Sequence, residues 1–170
     1  MEEILLSPDK EKSAGVKKDT VLFVCTGNTC RSPMCAALFN KKYAGLTHHA
    51  ESAGLAADGS PISSNAITAL IEYGVRSTEV NDYRNHISHN VTEDMIKDAA
   101  LVVGVTSSHA MTLMMRYPAY ASKITSFTRN IPDPFGGDVE TYKYCLKEID
   151  ASLGELFTPH SEDKNDSADK

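Results

Sequence analysis

The sequence predicts an α/β fold, an open four-stranded parallel sheet with helices on both faces, and two observations carry that expectation. Segments of strand character alternate with amphipathic helical segments along the chain. The strongest strands, TVLFVC (Thr20–Cys25) and LVVGVT (Leu101–Thr106), are continuous apolar runs without period-two alternation. A strand that is apolar at every position is buried on both faces, as in a parallel sheet covered by crossover helices. With 170 residues, 41% of them hydrophobic, the chain is long enough to bury one such core.

TVLFVC opens the fold as the first strand. Ser32 as N-cap and Pro33 at the first helical position then start a helix that runs to about Tyr43. HHAESAG (His48–Gly54) reads as a weaker second strand, and in SPISSNAITALIEYG a helix begins after Ser60-Pro61. A short helix over TEDMIKD is capped by Thr92, LVVGVT gives the third strand, and a segment from about Ser108 to Tyr117 with a methionine and leucine face gives the next helix. KITSF is the fourth strand, and VETYKYCLKEIDASLGELF is the long amphipathic closing helix. Ligands of such sheets sit beyond the C-terminal ends of the strands, and Cys25 lies at one of those ends.

Composition narrows the function. A net charge of -6 and a pI near 5.5 argue against a nucleic-acid partner, since phosphate-backbone binders present a basic face. No run of about 20 apolar residues exists to span a membrane, and the N-terminus is too polar after Leu6 for a signal peptide, so a cytoplasmic protein without a membrane partner is expected. The four cysteines then read as thiols, not as a disulfide framework. Residues 1–18 and 158–170 are polar and lack apolar periodicity, so a disordered extension and tail are expected on either side of one domain at 19–157.

The loop after the first strand carries the chemistry. The seven residues CTGNTCR, Cys25 to Arg31, lead into a helix N-terminus, where unpaired N–H groups and the dipole favour an anion. Gly27 and Asn28 are the types that most readily take φ > 0, which lets the loop curl with its amides inward. Arg31 offers a planar fork that matches two phosphate oxygens. The nucleotide loop GxxxxGK[ST] is absent; a thiol stands there instead. Inward amides, a guanidinium and a helix dipole all favour its thiolate, so Cys25 reads as a nucleophile aimed at bound phosphorus.

These residues resemble the low-molecular-weight protein phosphatase family. CTGNTCRS fits its C-x5-R-[ST] signature, IPDPFGG (Ile131–Gly137) looks like its Asp-Pro acid loop, and the SAG of the second strand and NHISHNVT (Asn85–Thr92) look like further family segments, a resemblance covering about Thr20 to Phe157. Two departures stand out: the chain reads PMCAALF where the family usually has a glutamate after PMA, and Ile87 where a basic residue usually follows the histidine. The resemblance implies the four-stranded low-molecular-weight phosphatase fold and a reaction needing neither metal nor cofactor. It implies Cys25 as nucleophile, Arg31 as oxyanion ligand, Asp133 as general acid and then base, and Pro134 fixing the backbone beside it. Ser32 would donate to the thiolate, Asn28, Ser52 and His86 would hold the loop, and Thr26, Gly27, Thr29, Cys30 and Phe135 would meet the substrate. Cys30 would also trap an oxidised Cys25 as a reversible disulfide. The partner would be a phosphorylated protein, and phosphate-like oxyanions such as vanadate would inhibit.

Cys25, Cys30 and Cys35 at C-x4-C-x4-C spacing fit no common zinc pattern. His48-His49 and His86/His89 read as strand-end or surface histidines before they read as ligands, and Cys145 with Tyr142 and Tyr144 as helix packing and exposure. An arsenate reductase would need two further thiols, and Glu79 to His109 holds no cysteine. A non-catalytic phosphate reader could lose nucleophile or acid, yet Cys25, Arg31 and Asp133 are all present. Thr29 stands where tyrosine phosphatases of the family carry an aliphatic residue, and CTGNTCRSP with DPFGG looks like the protein-arginine-phosphatase branch, so phosphoarginine is the favoured substrate and phosphotyrosine the alternative.

Overall fold

The computed structural model describes residues 19–45 and 48–157; the expected extension and tail lie outside the described residues. Four strands, β1 (Thr20–Cys25), β2 (His49–Gly54), β3 (Leu101–Gly104) and β4 (Ile124–Ser126), form one parallel sheet in the order β2-β1-β3-β4. Every residue of β1 is buried, as its unbroken apolar sequence requires of a central strand covered on both faces.

The period of two along β1 divides the core. Val21, Phe23 and Cys25 face helices α1 (Arg31–Lys42), α2 (Ser64–Glu72) and α5 (Val139–Phe157). Leu22 and Val24 face α3 (Glu93–Asp98) and α4 (Ser107–Arg116). Phe23 sits in an aromatic cluster with Phe39, Phe127 and Phe157, ring centroids 6.0 to 6.5 Å apart, on the side packed against α1 and α5. The chain leaves β1 for β2 on one side and crosses to β3 on the other. This reversal opens a crevice beyond the C-terminal ends of β1 and β3, beside Cys25.

Three local expectations are corrected or made more definite. First, α1 begins at Arg31 with Cys30 as its N-cap, not at Pro33 with Ser32 as cap. The Ser32 hydroxyl is taken by Cys25 and Asn28, so it is not available to cap, and Met34 N–H donates to Cys30 C=O at 3.1 Å as the first helical bond. Pro33 fits in this first turn because its missing N–H would have had no helical partner. Second, α2 begins at Ser64, three residues after Pro61. Ser60 to Ile62 are held extended against the His86 segment by Ser88 N–H to Ser60 C=O at 2.8 Å and Ile62 N–H to His86 C=O at 3.0 Å. Third, β3 stops at Gly104, because Thr106 leaves the strand to cap α4. Short 3-10 turns at Tyr83–Asn85 and Pro118–Lys123 carried no clear sequence signal.

Candidate active site

The loop from Cys25 to Arg31 turns on a single residue. Asn28 has φ 63°, the left-handed conformation that asparagine tolerates, and it is fully buried. Gly27 does not share that conformation, contrary to the expectation from sequence, because one reversal at Asn28 suffices to close the loop. A second glycine matters more: a Cβ on Gly54 would lie 2.7 Å from Thr26 C=O and 3.0 Å from Asn28 Cβ, so the end of β2 must be glycine for the loop to lie against it.

Asn28 is held on every polar atom of its side chain. Its Nδ2 donates to Ser32 Oγ at 2.9 Å and to Ser52 Oγ at 3.0 Å. Its Oδ1 accepts from His89 N–H at 3.1 Å and lies 3.1 Å from His86 Nε2. His86 Nε2 is also 3.0 Å from Asn28 C=O, which can only accept, so Nε2 carries the ring hydrogen. Burial lowers the His86 pKa and favours this neutral ring. Ser32, Ser52 and His86 thus all meet at Asn28.

At the floor of the loop the Cys25 sulfur is 3.0 Å from Ser32 Oγ and 3.3 Å from the backbone N of Asn28, which donates to it. Ser32 Oγ accepts from Asn28, and its own hydrogen points either to Cys25 Sγ or to Ala53 C=O at a longer 3.4 Å. The sulfur therefore faces one fixed donor, the Asn28 N–H, and a hydroxyl whose hydrogen can turn to it. Arg31, in the first turn of α1 and 9% exposed, donates through Nη1 to Ile131 C=O at 3.0 Å, and its Nη2 lies 3.7 Å from Asp133 Oδ2. Asp133 is brought to the loop from the segment before α5; its Oδ1 accepts from Phe135 N–H at 3.1 Å, which steadies the exposed carboxylate. Phe135 is 76% exposed. Thr26, Thr29, Cys30, Asp58 and Phe135 line a cleft of about 530 Å³ with Cys25 and Arg31 at its base.

Sequence reasoning did not foresee three other contacts. His109 of α4 reaches Thr26 Oγ1 at 3.1 Å. Tyr142 of α5 places its hydroxyl 3.2 Å from Cys30 Sγ and accepts from Ser63 Oγ at 3.1 Å; burial and the Cys30 contact push its phenol up to about 12. Cys145, one turn on, donates to Pro132 C=O at 3.5 Å beside the Asp133 loop, and burial pushes its thiol up to about 12, so it is a packing group. Tyr144 is exposed, as expected. The T-x-x-H spacing of Thr106 and His109 was a cap signal in the sequence, but nothing local told where the other face of the ring would point.

Known proteins resemble this chain along its length. The family model described as low molecular weight phosphotyrosine protein phosphatase matches residues 20–166. The protein-arginine-phosphatase of Bacillus subtilis is 32% identical over 154 residues, covering 85% of this chain and 98% of that protein. An arsenate reductase of Brevibacillus brevis is 31% identical over 136 residues, 80% of this chain and 92% of that protein. A solved low molecular weight protein tyrosine phosphatase from T. tengcongensis superposes with a TM-score of 0.72 at 37% identity, covering 82% of this chain and 97% of that one. With the sheet order, the loop and a match along nearly the whole described chain in agreement, the protein belongs to the low molecular weight phosphotyrosine protein phosphatase family.

Proposed function

We propose that the protein is a cysteine-dependent protein phosphatase that hydrolyses phosphorylated side chains through a cysteinyl-phosphate intermediate, with phosphoarginine favoured over phosphotyrosine. The observation that carries the reading is the Cys25 sulfur held between the Ser32 hydroxyl at 3.0 Å and the Asn28 N–H at 3.3 Å, at the base of a cleft that Asp133 lines. With the Ser32 hydrogen turned to sulfur, two donors stabilise a thiolate both as nucleophile and as the group that departs in the second step. Cys25 attacks phosphorus while Arg31 and the loop amides hold the equatorial oxygens, an interaction strongest in the transition state. The Nη1 contact with Ile131 C=O fixes the guanidinium plane and leaves other N–H groups for those oxygens. Asp133 gives its proton to the leaving group and then takes one from the water that cleaves the intermediate. Phosphate and vanadate compete for the same loop.

The substrate preference rests on the walls. Thr29 is half-buried in the cleft, and Asp58 and Asp133 add two carboxylates to the lining. This lining suits a leaving group that carries N–H donors and positive charge, and the similarity to an arginine phosphatase points the same way. Phosphotyrosine is the second reading, favoured by the exposed ring of Phe135, which offers a flat wall to a phenyl group. Arsenate reduction is disfavoured because Glu79 to His109 contains no cysteine. After peroxide converts Cys25 to a sulfenic acid, Cys30 in the same loop condenses with it to a disulfide, with loss of water.

The test is dephosphorylation of phosphoarginine and phosphotyrosine on one carrier protein by wild type and Thr29→Ile. Wild type should prefer phosphoarginine, and Thr29→Ile should lose that preference. A wild-type preference for phosphotyrosine that Thr29→Ile leaves unchanged would establish the tyrosine reading instead.

A further inference from the structure

His109 lies in the first turn of α4, is 6% exposed, and joins that helix to the oxyanion loop. Its Nδ1 accepts from the backbone N–H of Thr106 at 3.1 Å, and a backbone N–H can only donate. Nδ1 is therefore unprotonated, and the ring hydrogen sits on Nε2. Nε2 is 3.1 Å from Thr26 Oγ1, so the imidazole donates to the threonine hydroxyl. Burial, with the Arg31 guanidinium nearby, pushes His109 down to about 4, consistent with a neutral ring.

The ring has little freedom to leave this position. A Cβ on Gly104 would lie 2.5 Å from the backbone N of Ala110, so α4 is seated directly on the end of β3, and the capping box of Thr106 and His109 ties the ring to the start of the helix. Thr26 itself is exposed on the cleft wall, one residue after the nucleophile. Its hydroxyl oxygen, having accepted from His109, keeps one lone pair and its own hydrogen. A guanidino leaving group brings N–H donors to that wall; the bridging oxygen of an aryl phosphate brings none.

We propose that His109 is a positioning residue that, by donating from Nε2, holds the Thr26 hydroxyl as an acceptor for N–H groups of the leaving group. Thr26 is then a second polar contact in the cleft, separate from Thr29, and His109 acts only through it. The inference rests on the phosphatase reading above and deepens its substrate class.

The experiment is a set of kcat/KM ratios, phosphoarginine over phosphotyrosine, for five proteins: wild type, Thr26→Val, His109→Asn, His109→Gln and the Thr26→Val/His109→Asn double variant. Asparagine keeps an acceptor where Nδ1 caps α4 but cannot reach Thr26, whereas the glutamine amide extends to the Nε2 position. Thr26→Val and His109→Asn should each lower the ratio about three- to tenfold, as for the loss of one hydrogen bond. The double variant should fall no further, and His109→Gln should recover most of the wild-type ratio. A ratio unchanged in Thr26→Val, additive losses in the double variant, or equal losses in His109→Asn and His109→Gln would overturn the positioning role. The wild-type ratio itself judges the arginine reading separately: a value below unity that the variants still lower refutes that preference and leaves the role of His109 standing.

Discussion

The Ser32 hydroxyl lies 3.0 Å from the Cys25 sulfur, and Asn28 Nδ2 fixes its orientation by occupying one of its lone pairs at 2.9 Å. The serine therefore contacts the proposed nucleophile and does not cap α1, whose N-cap is Cys30. Ser32→Ala should leave the helix intact and remove one charge-assisted hydrogen bond, worth about 1.5–3 kcal/mol. Turnover of para-nitrophenyl phosphate should fall roughly ten- to hundredfold. Inhibition by inorganic phosphate, held by Arg31 and the loop amides, should change little; an equal loss of phosphate affinity would mean that Ser32 shapes the loop and not the nucleophile.

Asn28 couples the stability of the loop to its geometry. It combines a left-handed backbone with side-chain contacts to Ser32, Ser52, His86 and His89 N–H in a fully buried position. Asn28→Ala strains the backbone and strands several buried polar groups, at a cost of about 2–4 kcal/mol. For a chain of this size that is a drop in Tm of roughly 5–15 °C. A thermal melt within a degree or two of wild type would show that the network is dispensable.

Acid should destabilise the fold through His109. Its folded-state value of about 4 lies below the 6.5 of an unperturbed imidazole. Between those values the unfolded chain binds a proton that the folded chain refuses, so this contribution is fully present above about pH 6.5 and is lost as pH falls toward about 4. The loss is at most about 3 kcal/mol. The lowered His86 pKa acts in the same direction. Urea midpoints measured at about pH 7 and pH 4.5 should differ less in His109→Asn than in wild type, because the variant has no imidazole to protonate there. An identical pH dependence in the two proteins would remove His109 as the cause.

Asp133 should matter in proportion to the need for a proton. Its carboxylate is 3.7 Å from the Arg31 guanidinium, so the proposed acid and the proposed oxyanion ligand face the same space. Asp133→Ala should lose about 10²–10⁴-fold on leaving groups of high basicity and far less on activated aryl esters. Losses of one size across a leaving-group series would contradict the acid role.

The sequence made the first strand, the loop and the following helix legible because their chemistry is local: an apolar run, a turn residue and a Ser-Pro pair within thirteen positions, Val21 to Pro33. The same locality misplaced the start of α1. Ser32 has the chemistry of a cap, and only the folded loop shows that Cys25 and Asn28 claim its hydroxyl. Asp133 was legible only as the partner of Cys25, since Asp-Pro by itself signals a turn. His109 and Tyr142 were missed for a physical reason: they reach Thr26 and Cys30 across 83 and 112 positions of chain, a closeness set by the packing of α4 and α5 that no local pattern encodes.

The central claim, that Cys25 carries the phosphoryl group, is tested most directly by rapid acid quench of Asp133→Ala during turnover of para-nitrophenyl phosphate, followed by mass spectrometry of the peptide containing Cys25. Cleavage of the intermediate should be slowed in that variant, so the account predicts one phosphoryl group accumulating on Cys25 and none in a Cys25→Ala/Asp133→Ala protein that still binds phosphate. Wild-type turnover in Cys25→Ala, or a phosphoryl group on a side chain other than Cys25 in Asp133→Ala, would contradict it.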